Sequence, residues 1–189
     1  MKHTFNMSTE RLIIRQWCDE DLEPFAALNA DCEVMRYFPS VLNRSESDQL
    51  ASRIRTLIDQ KGWGFWAVEE KVSQQFIGFV GLHLQELVGI PYTPMIEIGW
   101  RLHRNYWRYG YATEAAQLAL KFAFEVLKVD AVYSFTALVN QKSQRVMQKL
   151  GMQNTGHDFE HPKLAANSVL KTHCLYKLSV HDWKQMHNL

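Results

Sequence analysis

Apolar and polar residues alternate from Thr9 to Trp17 around Leu12 and Ile14, the period-two pattern of a half-buried strand. Asp19 is then placed to cap a helix whose Leu22, Phe25, Ala26 and Leu28 share one face. Ser45 with Asp48 resembles a capping box ahead of Leu50, Ile54, Leu57 and Ile58, which recur at helical spacing. Three β-rich runs follow, Trp63 to Glu69, Phe76 to Leu84 and Met95 to Leu102. A polar turn around Ser73 and a loop carrying Gly89, Pro91 and Pro94 separate them, so an antiparallel meander is predicted. Helical spacing returns from Thr113 to Lys128, with Ala115, Ala119, Phe122, Ala123 and Val126 on one stripe, and Ala131 to Leu138 reads as a strand. These elements form a central βαβ crossover. Asn140 is positioned to cap a short helix bearing Val146, Met147 and Leu150, which Gly151 ends, and Val169 to Ser179 predicts a last strand. No linker, repeat or low-complexity stretch interrupts this order. It predicts one α/β domain over residues 1–189, with a mixed, mostly antiparallel sheet flanked by helices.

Composition narrows the partners. The 189 residues are 47% hydrophobic and 22% charged, enough for one sizeable core, and 21 Lys and Arg against 20 Asp and Glu leave a net charge of +1. No summed field is available for a polyphosphate backbone or an anionic membrane, so neither is expected as a direct partner. Cys18, Cys32 and Cys174 are scattered singly, without disulfide or zinc-site spacing, and read as reduced core thiols of a cytoplasmic protein. Met1 to Thr9 has no apolar signal-like run, and no stretch approaches the roughly 20 apolar residues that cross a bilayer, so a soluble, unexported protein is expected. Oligomeric state is not legible.

The candidate chemistry lies in the short turn Tyr106-Trp107-Arg108-Tyr109-Gly110-Tyr111-Ala112, between the strand ending near Leu102 and the helix starting near Thr113. Such a turn leaves backbone N–H groups unpaired at the positive end of a helix dipole, which is an anion site. Gly110 permits a positive φ and close approach by a ligand, and Ala112 keeps the helix entrance small, so a pyrophosphate fits.

This segment resembles motif A of the GNAT superfamily of N-acetyltransferases, Q/R-x-x-G-x-G/A, with Trp107 where Gln or Arg stands, Gly110 as the fixed glycine and Ala112 as the last small residue. The longer string Tyr106 to Ala115, ending in Ala112-Thr113-Glu114-Ala115, is similar to the branch that acetylates ribosomal-protein amino termini. Downstream, Asn140-Gln141-Lys142-Ser143 followed by Lys149-Leu150-Gly151-Met152 resembles the family's N-x-x-S…K-L-G-F element. The resemblance runs from about Ser8, with Thr9-Glu10-Arg11-Leu12 as the opening strand, through Ser179.

What the resemblance implies is a GNAT acyl-CoA N-acyltransferase fold, acetyl-CoA as cosubstrate, a primary amine as acceptor and no metal. Backbone from Arg108, Tyr109, Gly110, Tyr111, Ala112 and Thr113 would hold the coenzyme's pyrophosphate, with Arg108 also offering its side chain. The strand bearing Trp100, Arg101 and Leu102 would splay from its neighbour and pair with the pantetheine arm. Glu97 shares a strand face with Gly99 and Arg101 and is a candidate general base acting through water; its alternative is a solvated ion pair with Arg101. Ser143 or an ordered water would protonate the departing thiolate, because the tyrosine many relatives place one turn later is Met147 here. The alternative is a first-turn serine bonding backbone. Asn140 would cap its helix and offer its amide to the coenzyme. Trp63, Phe65 and Trp66 would line the acceptor cleft, although strand aromatics also pack cores.

Two other patterns are set aside. Gly62-x-Gly64-x-x-Ala67 matches a dinucleotide fingerprint as text but opens a strand and follows a helix. His157-Asp158-Phe159-Glu160-His161 matches an inverted zinc-peptidase motif, yet Pro162 biases His161 away from helical geometry. Acceptor classes left open are protein or peptide amino termini, including ribosomal proteins, and small amines such as antibiotics, polyamines or amino acid derivatives. A non-catalytic acyl-CoA sensor is the rival outside enzymes.

Overall fold

The computed structural model describes residues 7–188. In chain order the elements are β1 (Met7–Ser8), β2 (Leu12–Arg15), α1 (Leu22–Ala30), α2 (Arg44–Lys61), β3 (Phe65–Glu70), β4 (Gln75–Gln85), β5 (Met95–Leu102) and α3 (Tyr111–Glu125). After these come β6 (Ala131–Ala137), α4 (Gln141–Lys149), β7 (Gln153–Asn154), β8 (Phe159–Glu160), β9 (Thr172–Ser179) and α5 (Val180–His187). The chain divides into two compact units, one made of residues through Leu82 together with Gly99–Ala119, the other of His83–Ile98 and the residues from Leu120 onward.

In the first unit β1, β2, β3 and β4 pair antiparallel in sequence order, with β2 on β3 from Leu12↔Glu70 to Arg15↔Ala67. Alternation buries Leu12 and Ile14 completely. An aromatic cluster forms the core beside them: the Trp17 ring lies 4.8 Å from Phe25, 5.3 Å from Phe76 and 6.4 Å from Phe79. Burying side chains of this size stabilises by roughly 1.5–3 kcal/mol each. Two helix starts differ from the expectation. Asp21, not Asp19, closes the turn before α1, because its carboxylate accepts from the Cys18 N–H at 2.9 Å while Arg15 grips it. The capping box of α2 is Asn43 with Glu46, two residues earlier than Ser45 with Asp48, each side chain accepting from the other's backbone N–H.

In the second unit β6 lies parallel to β5 through the pair Glu97↔Tyr133, as a βαβ crossover requires, and antiparallel to β9 from Ala131↔Ser179 to Ala137↔His173. The short strands β7 and β8 also pair with β9. The sheet pairings are thus mixed and mostly antiparallel. Asn140 caps α4, its Oδ1 accepting from the Ser143 N–H at 3.3 Å. Helix α3 stops at Glu125, so Val126 leaves the predicted stripe and is exposed. Turns at His161–Leu164, Ala165–Ser168 and Ser168–Lys171 hold the chain before β9, which delays that strand to Thr172 and leaves Val169 exposed. Helix α5 escapes the sequence pattern because it buries a single large residue, Trp183, against Phe124. Of the three thiols expected in the core only Cys174 is buried; Cys32 is exposed and Cys18 half-buried.

Candidate active site

In the first unit the turn after β5 is built as an anion cradle. A 3-10 turn at Arg104–Tyr106 leads into Arg108 at φ +69° and Gly110 at φ +86°, and α3 starts at Tyr111 with the Glu114 N–H on the Gly110 carbonyl at 3.0 Å. The first-turn amides of Tyr111, Ala112 and Thr113 therefore have no carbonyl one turn earlier and face outward at the positive helix end. Arg108, Tyr109 and Gly110 are exposed, and Tyr111, Ala112 and Thr113 are half-buried. Trp107, which replaces the polar residue of the motif, donates its indole N–H to the Leu102 carbonyl at 2.8 Å and ties the turn to the end of β5.

A second brace was not evident in the sequence. The Arg11 guanidinium donates to Glu114 through Nε at 2.7 Å and through Nη2, to the Tyr109 carbonyl through Nη1 at 3.0 Å, and lies 4.6 Å from the Tyr111 ring centre. Burial pushes the Glu114 carboxyl up, but hydrogen bonds from Thr9 and Arg11 outweigh it and hold its pKa below the usual range. The only sequence signal for this pairing was that both residues fall inside the two quoted motifs.

In the second unit Glu97 occupies the face of β5 that also carries Met95, directly across from Tyr133. Met95 belongs to an apolar cluster with Ile90, Phe159 and Leu175, flanked by Leu87, Tyr133 and Phe135. The protein around Glu97 displaces most of its hydration although the residue keeps some contact with solvent, and this burial pushes its pKa up to about 7. The Gln85 amide opposes that shift by donating to Oε2 at 3.0 Å, and it is oriented by accepting the Leu87 N–H on its own Oε1. Among the described residues neither Glu97 nor Arg101 makes an ion pair. Arg101 is held instead by Asn29.

Pairing between β5 and β6 rests, among the described residues, on Glu97↔Tyr133. Ser143 is half-buried in the first turn of α4; Asn140 Oδ1 accepts its N–H and leaves its hydroxyl outside the cap. Asn140 is buried, and its Nδ2 also donates to Thr136 Oγ1 at 2.9 Å, so one amide hydrogen remains for other use.

The three aromatic residues assigned to the acceptor cleft differ in burial. Trp66 is completely buried in the core, in a run with Ala67 and Val68, so its cleft-lining role is corrected. Phe65 stays half-buried, 5.1 Å from Phe79, and Trp63 is half-buried under the Lys61 ammonium. The fingerprint-like Gly62 is the left-handed C-cap of α2, and the segment from His157 to His161 contains strand β8. Among the described residues no group of three or more His, Cys, Asp or Glu is placed to hold a metal ion, and no helix is long and apolar enough to cross a membrane.

Comparison with known proteins identifies the family and the fold. The profile of the acetyltransferase (GNAT) domain family matches residues 11–153. The uncharacterized N-acetyltransferase YoaA of Bacillus subtilis is 29% identical over 153 residues, covering 79% of this chain and 84% of that protein. Among solved structures, a GNAT-family acetyltransferase from Bacillus anthracis superposes with a TM-score of 0.77 at 24% identity, covering 94% of this chain and 99% of that one. The ribosomal-protein-S5-alanine acetyltransferase of Vibrio fischeri does so with a TM-score of 0.74 at 18% identity, covering 95% and 99%. At these identities the two superpositions establish the fold.

Proposed function

The chain is an N-acetyltransferase of the GNAT family, and on that premise we propose that it acts as one cytoplasmic domain that acetylates the amino terminus of a protein or peptide, ribosomal proteins included. The observation that carries the transfer chemistry is the placing of Glu97, beside the Gln85 amide and directly across from Tyr133 of the apolar cluster, where burial raises its pKa to about 7 and equips it to accept a proton near neutral pH. Acetyl-CoA would be held by its pyrophosphate on the amides of residues 111–113 and by its pantetheine along Trp100, Arg101 and Leu102. The acceptor amine, having lost its proton through water to Glu97, attacks the thioester carbonyl. Attack would form the carbon–nitrogen bond and leave a second proton on nitrogen; collapse would break the carbon–sulfur bond, the thiolate would take the Ser143 hydroxyl proton, and the nitrogen's proton would return through water to Ser143, leaving amide and free thiol. Phe65 and Trp63 are the remaining acceptor-side aromatics. The ribosomal acceptor is suggested by the name of the Vibrio fischeri neighbour and by the Tyr106 to Ala115 motif.

A screen of free-amino-terminal peptides and small amines with acetyl-CoA, followed by release of free thiol, tests the reading. Turnover confined to peptides is expected. Turnover of small amines alone overturns the acceptor, and coenzyme binding without thiol release from any amine overturns catalysis.

A further inference from the structure

The half-buried Arg15 is given two carboxylates, donating to Asp21 and Glu69, and the exposed Arg104, on the turn after β5, pairs with Asp31 at the end of α1. Arg101 is held differently. Among the described residues it makes no ion pair; its Nη1 donates to the neutral amide oxygen of Asn29 at 2.6 Å, and its enclosed Nε has no hydrogen-bond partner. Asn29 is itself fully buried and held in place by donating to the Ser47 hydroxyl at 2.9 Å. The guanidinium carbon lies 4.0 Å above the Phe38 ring and 5.4 Å from that of Phe79.

The arrangement fixes a cation without neutralising it. The last turn of α1, where Asn29 sits, contributes only a fraction of a negative charge, and ring faces contribute less than a carboxylate. Burial alone pushes the Arg101 pKa down to about 10, so it remains charged at neutral pH. An enclosed charge that lacks its opposite is costly to the fold and strongly attractive to an anion arriving with a ligand. The side chain is held by Asn29 of α1 and by the Phe38 and Phe79 rings. Phe38 is partly open to solvent, and Phe79 continues to Phe65, the strand aromatic already assigned to the acceptor.

We propose that the Arg101 guanidinium is a carboxylate-binding subsite for the acceptor, so that the preferred amine carries an acidic group. This rests on the acetyl-transfer reading and narrows its substrate class. A fork of N–H donors above an aromatic ring matches the planar, two-oxygen geometry of a carboxylate. The acidic group belongs either to a free amino acid derivative or to an Asp, Glu or carboxyl terminus of a peptide, and separate arms distinguish these sources.

The test uses matched acceptors in carboxylate and carboxamide form: amino acids with their amides, and free-amino-terminal tripeptides with Glu or Gln at the second or third position. Thiol release at saturating acetyl-CoA gives kcat/KM, and melting shifts of the protein with each member report binding apart from turnover. The wild-type protein should favour the carboxylate member by about 10- to 100-fold, chiefly in KM. Arg101→Met keeps the backbone assigned to pantetheine and should erase the preference, while coenzyme affinity, measured separately, reads whether the side chain serves the coenzyme as well. Asn29→Asp, which places an internal carboxylate against the guanidinium, should erase it too and raise the melting temperature. A preference that survives both variants overturns the subsite. Equal melting shifts and equal rates for both members in the wild type also overturn it. A loss confined to coenzyme affinity assigns the anion to the coenzyme and overturns the acceptor assignment. If no amine releases thiol, the transfer reading fails, while the melting shifts still decide whether Arg101 selects a carboxylate.

Discussion

Replacing Glu97 by Gln removes a proton acceptor at nearly constant volume, and the consequences for stability and for rate have opposite signs. In the folded protein the carboxyl titrates near 7, against about 4.3 in an unfolded chain. A raised folded pKa means that the stabilising contribution is complete below the unfolded value and is lost as pH rises through 7. With 1.36 kcal/mol per pKa unit, the native state loses roughly 2 kcal/mol from this group between pH 5.5 and 8.5. Gln cannot ionise, so the melting temperature of Glu97→Gln should gain on wild type by about 4–8 °C across that interval. The rate behaves in the other direction. The base form of Glu97 grows from about one-tenth at pH 6 to nine-tenths at pH 8, and kcat/KM should follow it in the wild type. Removing the base should cost on the order of 100-fold or more near neutral pH, partly recovered where the amine deprotonates in solution. Two acceptors whose amines differ in pKa separate the enzyme's inflection from the substrate's. A Glu97→Gln protein with wild-type rates and a melting difference that does not vary with pH would refute both the proton-accepting role and the burial argument beneath it.

Gly110→Val should abolish acetyl-CoA binding in a protein that still folds, because a β-branched residue resists φ +86° while its Cβ position meets only ordinary contact with Arg11; unchanged affinity by titration calorimetry contradicts the cradle. Arg11→Ala should weaken coenzyme binding several-fold and cost about 1 kcal/mol, roughly 2–4 °C in melting temperature. A stability loss with coenzyme affinity intact would make the brace purely structural. Ser143→Ala should lower turnover with coenzyme affinity retained, and equal turnover where chemistry limits the rate hands the proton to water. Burial, partly opposed by the Lys171 carbonyl and reinforced by His161, pushes His173 down to about 4. Its lowered pKa makes stability fall as pH drops from 6.5 towards 4, by roughly 3 kcal/mol in all, and His173→Gln should flatten that acid limb in urea titrations run at several pH values.

Elements whose cause is local were legible in the chain. Alternation around Leu12 and Ile14, the alanine stripe of α3, the Asn140 cap and the Gly110 turn each depend on residues within a few positions, and there periodicity and capping chemistry act without help from elsewhere. The motifs resembling the GNAT pattern are local in the same sense, since a helix start needs only its own turn to expose amides. Where two local solutions competed, neighbours in space chose: Asn43 and Glu46 took the capping box that Ser45 and Asp48 also spelled, and Arg15 drew Asp21 into the turn that Asp19 was expected to cap. Everything that depends on solvent or on a distant partner was decided only by the tertiary structure. Phe65 and Trp66 are adjacent, yet packing sends the second into the core. Glu97 owes its pKa to the apolar cluster over its strand, and Arg11 and Arg101 find Glu114 and Asn29 across 103 and 72 positions. Charge is written in the sequence, but its hydration and its counter-ion are properties of space, and they decide which carboxyl can accept a proton and which guanidinium is left seeking an anion.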